Sequence, residues 1–190
     1  MWYLFTMGTL LFNEEKAVRS AAYFLRRAGG EMDTLKLLNL LYIAERLAWT
    51  ILERPIFGGK YVVSASGPKI EQAYFLLHDE PIPGEKHPWH AAVSAPRDYK
   101  VALIADIGLG ELSNDEEGIL EAAWEEFGPL SHWELLNRTL LLPECENALD
   151  YGGVLEYKDV LGAVGKNHQR TTEILAVVAD LDNILRNVPN

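Results

Sequence analysis

From Thr34 to Glu53 the chain offers a helix with almost no side that can face water. Its polar residues Lys36, Asn39, Arg46, Thr50 and Glu53 fall within about 100° of arc at 3.6 residues per turn. Nearly all the others are Leu, Ile, Ala, Tyr or Trp. A cylinder with one narrow polar stripe must be wrapped by other elements, so the segment predicts a buried central helix and a fold organised around it. Asp33 supplies its N-cap and Arg54-Pro55 its stop. Glu45 breaks the pattern by lying opposite the stripe, where a buried carboxylate must be paired or hydrogen-bonded. It reads either as a catalytic acid or as an internal ion-pair partner. With no His or Ser at helical spacing beside it, the internal role is the expectation.

Other elements are legible around this helix. Asn13 caps a preceding helix with Glu14 and Glu15 in its first turn, and Gly29-Gly30 ends it. Ile56 to Ser66 reads as a turn and a strand, with Tyr61-Val62-Val63 at its β-prone centre. Gly67-Pro68 then predicts a helix start, Pro68 at the first helical position and Glu71 in the first turn. Residues 79–98 are rich in Pro and turn residues and predict a long irregular loop. Lys100 to Ile107 predicts a second strand, with Ala91 to Ser94 as a candidate hairpin arm. Ser113-Asn114-Asp115-Glu116 and Ser131-His132-Trp133-Glu134 are capping boxes opening two more helices, the second running through Leu141 and stopped by Pro143. Two final helices are expected over Asp159–Val164 and Thr171–Arg186. The predicted class is α-dominated α+β: a helical bundle around the 34–53 helix with a small antiparallel sheet from Tyr61–Ser66 and Lys100–Ile107. Residues 1–12 (MWYLFTMGTLLF) read as an N-terminal strand or packed arm, and 13–190 as one domain.

Composition narrows the function classes. At 48% hydrophobic residues the chain can build a core, and no apolar run approaches the roughly 18 residues of a membrane span. One Cys excludes a disulfide framework and a Cys-rich zinc module; a cytoplasmic location suits it. The net charge of −11 is lopsided: residues 1–100 hold 11 acids and 12 bases, residues 101–190 hold 17 acids and 5 bases. A nucleic-acid binder would show a basic stripe, whereas these bases are scattered among acids. A basic protein partner is the natural complement.

Catalytic and metal constellations are not legible. His87 and His90 flank Pro88-Trp89 with no Cys nearby, which is not zinc-ligand spacing. No nucleophile elbow or phosphate loop occurs, and Cys145 reads as an inert small hydrophobe. The expectation is a protein that is not an enzyme, with no cofactor and no metal. Glu117, Glu121 and Glu125 align at i, i+4, i+8 with Asp115 nearby and no interleaved Lys. Each like-charge pair at that spacing costs about 0.2–0.5 kcal/mol. These four acids read either as a solvated face or as the candidate contact for a basic partner.

An ordered string of motifs resembles the Panacea domain of the SocA-like antitoxin family, which includes the phage-associated GepA-like proteins. The family pattern K-L-x-K-L-L-Y-x-A-D-R appears as Lys36 to Arg46, the G-R-P-I turn as Glu53-Arg54-Pro55-Ile56, and the Gly-Pro pair as Gly67-Pro68. The acidic L-S-x-x-E segment appears as Leu112 to Glu116, P-E-W as Pro143-Glu144-Cys145, and Y-x-D-I-L as Tyr157 to Leu161. Asn39 stands where a Lys is usual, Glu45 for Asp, Glu53 for the turn Gly, Leu140 for a frequent His and Cys145 for Trp.

The resemblance implies an antitoxin of a toxin–antitoxin system, a mainly helical protein that neutralises a cognate protein toxin by direct binding. Some relatives instead deliver the toxin to a protease, which makes a protease or chaperone a further implied partner. Glu45, Gly67 and Pro68 are then expected in structural roles. The rival readings are a DNA-binding transcriptional regulator, disfavoured by the missing basic helix, and a small hydrolase using Glu45 or the His residues.

Overall fold

The computed structural model describes residues 10–78, 87–150 and 153–187. It is helix-dominated, with nine helices and two small antiparallel sheets among the described residues. The elements in order are α1 (Glu14–Arg27), β1 (Glu31–Asp33), α2 (Thr34–Ile51), β2 (Tyr61–Ser64), β3 (Gly67–Ile70), α3 (Glu71–His78), α4 (Pro88–Ala92), β4 (Lys100–Ala102), α5 (Asn114–Phe127), α6 (His132–Leu140), α7 (Pro143–Asp150), β5 (Val154–Leu155), α8 (Tyr157–Ala163) and α9 (His168–Arg186).

α2 is the central helix that its composition demands. Asp33 Oδ1 caps it by accepting from the Leu35 and Lys36 amides, and every residue from Leu37 to Glu45 is buried. α1, α5, α6, α8 and β3 all pack against it, so no face is left for solvent over those turns. Leu41 is fully buried at this centre. Leu41→Ala should therefore cost about 2–5 kcal/mol in urea unfolding. A loss under about half a kcal/mol, the range of surface substitutions, would contradict the central position.

Both capping boxes form. Ser113 Oγ accepts from the Glu116 amide while Glu116 accepts from the Ser113 amide, and Ser131 and Glu134 do the same. α5 buries Ile119, Leu120 and Ala123. Its half-buried Trp124 stacks on Phe24 and lies beneath Arg27 and Lys36.

The β-structure departs from the sequence expectations. Gly67-Pro68 does not begin a helix: it begins β3, which pairs with β2, and α3 starts at Glu71. Pro fits the first turn of a helix and an edge strand for the same reason, its missing N–H, and β3 is the edge of the order β3-β2-β5. The expected pairing of Tyr61–Ser66 with Lys100–Ile107 is absent. β2 takes β5 on its other side, while β4 pairs with β1 through Glu31↔Ala102 and Asp33↔Lys100. Of the proposed arm, Ala91 and Ala92 belong to α4, and Val93 bridges Leu103. Pro143 does more than end α6, since it also opens α7. The N-terminal strand or packed arm expected over residues 1–12 falls largely on residues 1–9, which lie outside the described residues. Leu10 is buried and Asn13 caps α1 by accepting from the Lys16 amide.

Candidate interaction site

By its spacing Asn39 belongs to the polar stripe of α2, yet it is buried and joins three elements. Its Nδ2 donates to the Ser66 and Pro68 carbonyls at 3.2 and 3.3 Å, and its Oδ1 accepts from Thr139 Oγ1 of α6 at 3.0 Å. The β2–β3 turn thus hangs on α2 through one amide. Gly67 sits against that amide with φ +88, where a Cβ would come within 2.5 Å of Asn39 Oδ1. Beside it, Lys69 Nζ donates to Ser64 Oγ and Ser66 Oγ at 2.8 and 2.7 Å and lies 5.4 Å from the Tyr74 ring centre. Burial lowers the Lys69 pKa. Gly67 and Pro68 thus lie on the side of the turn that faces α2.

Glu45 is fully buried and bonded on both oxygens. Oε1 accepts from the Ile56 and Phe57 amides at 2.9 and 2.8 Å, and Oε2 from the Tyr61 hydroxyl. Tyr61 in turn accepts from Trp49 Nε1 at 3.0 Å. Burial pushes the Glu45 carboxyl up to about 7, against these donors, which pull it down. The carboxylate fixes the turn after α2 to the helix that precedes it. Its partners are two backbone amides and a phenol, where the sequence expectation was the cation of an ion pair.

Glu53 stands in the left-handed region at φ +55, which explains the turn Gly of the family pattern at this place. Lys166 and Arg170, at the entrance to α9, bond its carboxylate. Arg170 and then Lys166 hold it down at about 2. The non-glycine residue is thus tied across the chain to the C-terminal helix.

Two further buried acids escaped the sequence reading. Glu144 of α7 accepts from Tyr42 at 3.0 Å and Arg46 Nε at 2.6 Å. Adjoining it, burial and the Glu144 charge push the Cys145 thiol up to about 12, so the sulfur stays protonated. Glu116, foreseen only as a capping residue, binds Lys16 Nζ at 2.8 Å and Arg54 Nη1 at 2.7 Å. Burial raises its pKa, but the bonds to Lys16, Ser113 and Arg54 outweigh it and hold the carboxyl low. These pairs join residues 62 to 102 positions apart, beyond any local spacing signal.

The acidic face of α5 divides. Asp115 and Glu125 are exposed and Glu117 is half-buried. Glu121 turns back on α1, where Arg27 Nη1 reaches both its oxygens at 2.9 Å and the Tyr23 hydroxyl donates to it. The Tyr23 bond and the Arg27 charge lower its pKa. Of the four candidate contact residues, three point to solvent or its margin and one is occupied.

The His residues are dispersed into local bonds. His87 Nδ1 meets Glu14 at 3.1 Å, His90 Nε2 the Leu76 carbonyl at 2.8 Å, and His132 lies 3.6 Å from Asp33. Among the described residues, no three His, Cys, Asp or Glu side chains converge to hold a metal ion.

A family model described as antitoxin SocA-like, Panacea domain, matches residues 37–141. No curated protein and no solved structure matches the chain. The matched span runs from α2 to the end of α6 and contains Asn39, Glu45, Gly67, Pro68, the acidic face of α5 and Thr139; α7 to α9 lie beyond it.

Proposed function

Because the chain belongs to the SocA-like antitoxin family through its Panacea domain, we propose that it is a non-catalytic, cytoplasmic antitoxin that neutralises a cognate protein toxin by direct contact. The match over residues 37–141 carries this reading. The disposition of charge supports it. Glu45, Glu116 and Glu144 are buried and spent on internal bonds, whereas Asp115 and Glu125 are offered to solvent. With a net charge of −11, the complement is a basic surface on the toxin, not a nucleic acid. No helix among the described residues is long and apolar enough to cross a membrane.

The deciding experiment is expression of the product of the adjacent open reading frame, alone and with this chain. Growth arrest by that product, relieved on co-expression and accompanied by a co-purifying complex, is expected. Arrest that persists with this chain present, and no complex, would overturn the reading. The α5 face makes a finer prediction. Asp115→Asn/Glu117→Gln/Glu125→Gln should leave thermal stability unchanged within about half a kcal/mol, since these are surface positions. It should slow association with the toxin and flatten its salt dependence, because steering charges are lost. Association rates equal to the parent's at low salt would assign these acids to a solvated face.

A further inference from the structure

The β2–β3 hairpin buries a cation without a counter-charge. Lys69 is only 8% exposed, and a charge so far out of water is expected to be paired. The buried acids Glu116 and Glu144 obey that rule, each holding a cation. Lys69 Nζ instead meets the Ser64 and Ser66 hydroxyls and, at 5.4 Å, the centre of the Tyr74 ring. No carboxylate among the described residues bonds it. Glu71, two residues on, is taken by Lys60, and it is burial that lowers the Lys69 pKa.

The hydrogen bonds of this cluster leave two donors over. An ammonium carries three N–H bonds, and a hydroxyl one O–H and two lone pairs. Ser64 Oγ accepts from Lys69 Nζ at 2.8 Å and from the Ser66 amide at 3.3 Å, so in the 2.9 Å contact between the two hydroxyls Ser64 is the donor. Ser66 Oγ then accepts from Ser64 and from Lys69 at 2.7 Å, which fills its lone pairs. Its own proton finds no acceptor among the described residues, and neither does the third N–H of Lys69. These two donors sit on atoms 2.7 Å apart. Ser64 and Ser66 are half-buried around an exposed Ala65, which sets the cluster at the solvent margin of the hairpin. Asn39 holds the turn from behind through the Ser66 and Pro68 carbonyls, so the donors are fixed in advance.

We propose that Lys69 and Ser66 form a binding site for a single carboxylate, one oxygen taking the ammonium N–H and the other the Ser66 hydroxyl. One ammonium balances one negative charge, which favours a carboxylate over a doubly charged phosphate. The carboxylate can belong to a free small acid or to an Asp or Glu side chain of a protein partner. The site is independent of the antitoxin reading and stands or falls without it.

The test follows the amide NMR resonances of residues 64–69 in the full chain during titration with sodium acetate, sodium phosphate or sodium chloride at constant ionic strength. Acetate should give a saturable shift, tighter than phosphate, with chloride giving none. Ser66→Ala should weaken acetate binding about tenfold, the loss of one bond to a charged group. Lys69→Met should abolish it and keep or raise the melting temperature, since an uncompensated buried charge is replaced by an apolar chain of similar length. A shift that grows linearly with acetate, tighter binding of phosphate, or an acetate response undiminished in either variant would overturn the proposal. The peptide acetyl-Gly-Glu-Gly-amide separates the sources: binding tighter than acetate assigns the site to a protein side chain, weaker binding to a free small acid. Because toxin neutralisation is not the readout, failure here leaves the antitoxin reading untouched.

Discussion

Gly67→Val is expected to cost about 3–5 kcal/mol and, on the proposed antitoxin reading, to abolish toxin neutralisation through unfolding. The backbone at Gly67 has φ +88, which a β-branched residue adopts only with strain of about 1–3 kcal/mol. The new Cβ would also meet Asn39 Oδ1 at 2.5 Å. Asn39 would have to move away from the Ser66 and Pro68 carbonyls and from Thr139, and each buried group left unpaired costs about 1–3 kcal/mol. Urea unfolding with an Asn39→Ala partner separates the causes. Gly67→Ala and Asn39→Ala should be less than additive together, since removing the amide removes the clash and leaves only the dihedral strain. A Gly67→Val protein that is fully stable but cannot neutralise a toxin would make this turn a contact site.

Glu45 governs the second large effect, and its sign runs against the usual carboxylate. Its folded pKa of about 7 lies above the ordinary 4.5. Between those values the folded chain holds a proton that the unfolded chain has released. The Glu45 contribution is therefore full below pH 4.5 and is lost as pH rises towards 7, by about 3 kcal/mol at 1.36 kcal/mol per pH unit. Glu45→Gln cannot titrate, so the stability difference between parent and variant should shrink by that amount from pH 4.5 to above 7. Glu53, whose depressed pKa acts in the opposite direction at low pH, is common to both proteins and cancels. A difference that stays constant with pH would mean that the buried carboxyl titrates normally. Glu45→Ala is the harsher change. It orphans the Ile56 and Phe57 amides and the Tyr61 hydroxyl in a closed core, with an expected loss of about 3–5 kcal/mol below pH 4.5 that shrinks by the same linkage as pH rises.

Much of the candidate site was legible because its signals are local. A carboxylate on the apolar side of a buried helix must be satisfied by its surroundings, and Glu45 is satisfied by the turn that follows the same helix. The position of Glu53 in a turn that favours Gly was visible as a departure, and its φ of +55 gives the reason. Glu121 shows the limit. On a helical wheel it aligns with Glu117 and Glu125, but nothing in that spacing reveals Arg27 on α1, which neutralises it. Asn39 likewise sits on the polar stripe by arithmetic, and only the arrival of Thr139 and the β2–β3 turn buries it.

By itself, the sequence determined the central helix, its Asp33 cap, both capping boxes, the helix-dominated class and the family. Each depends on contacts within a few residues, or on an apolar fraction that allows one outcome. Tertiary structure decided which strands pair, which acids are spent and which remain available. Lys100–Ala102 could have joined the Tyr61 strand by β-propensity alone, yet it lies on Glu31–Asp33 because that segment leads directly into α2 and α2 occupies the centre. Pro68 could begin a helix or edge a sheet, since its ring removes the same N–H in both. Here the segment is extended, and Asn39 Nδ2 donates to its Pro68 carbonyl. Strand partners and buried ion pairs are fixed by what packing brings together across a hundred residues, and local propensity does not extend that far.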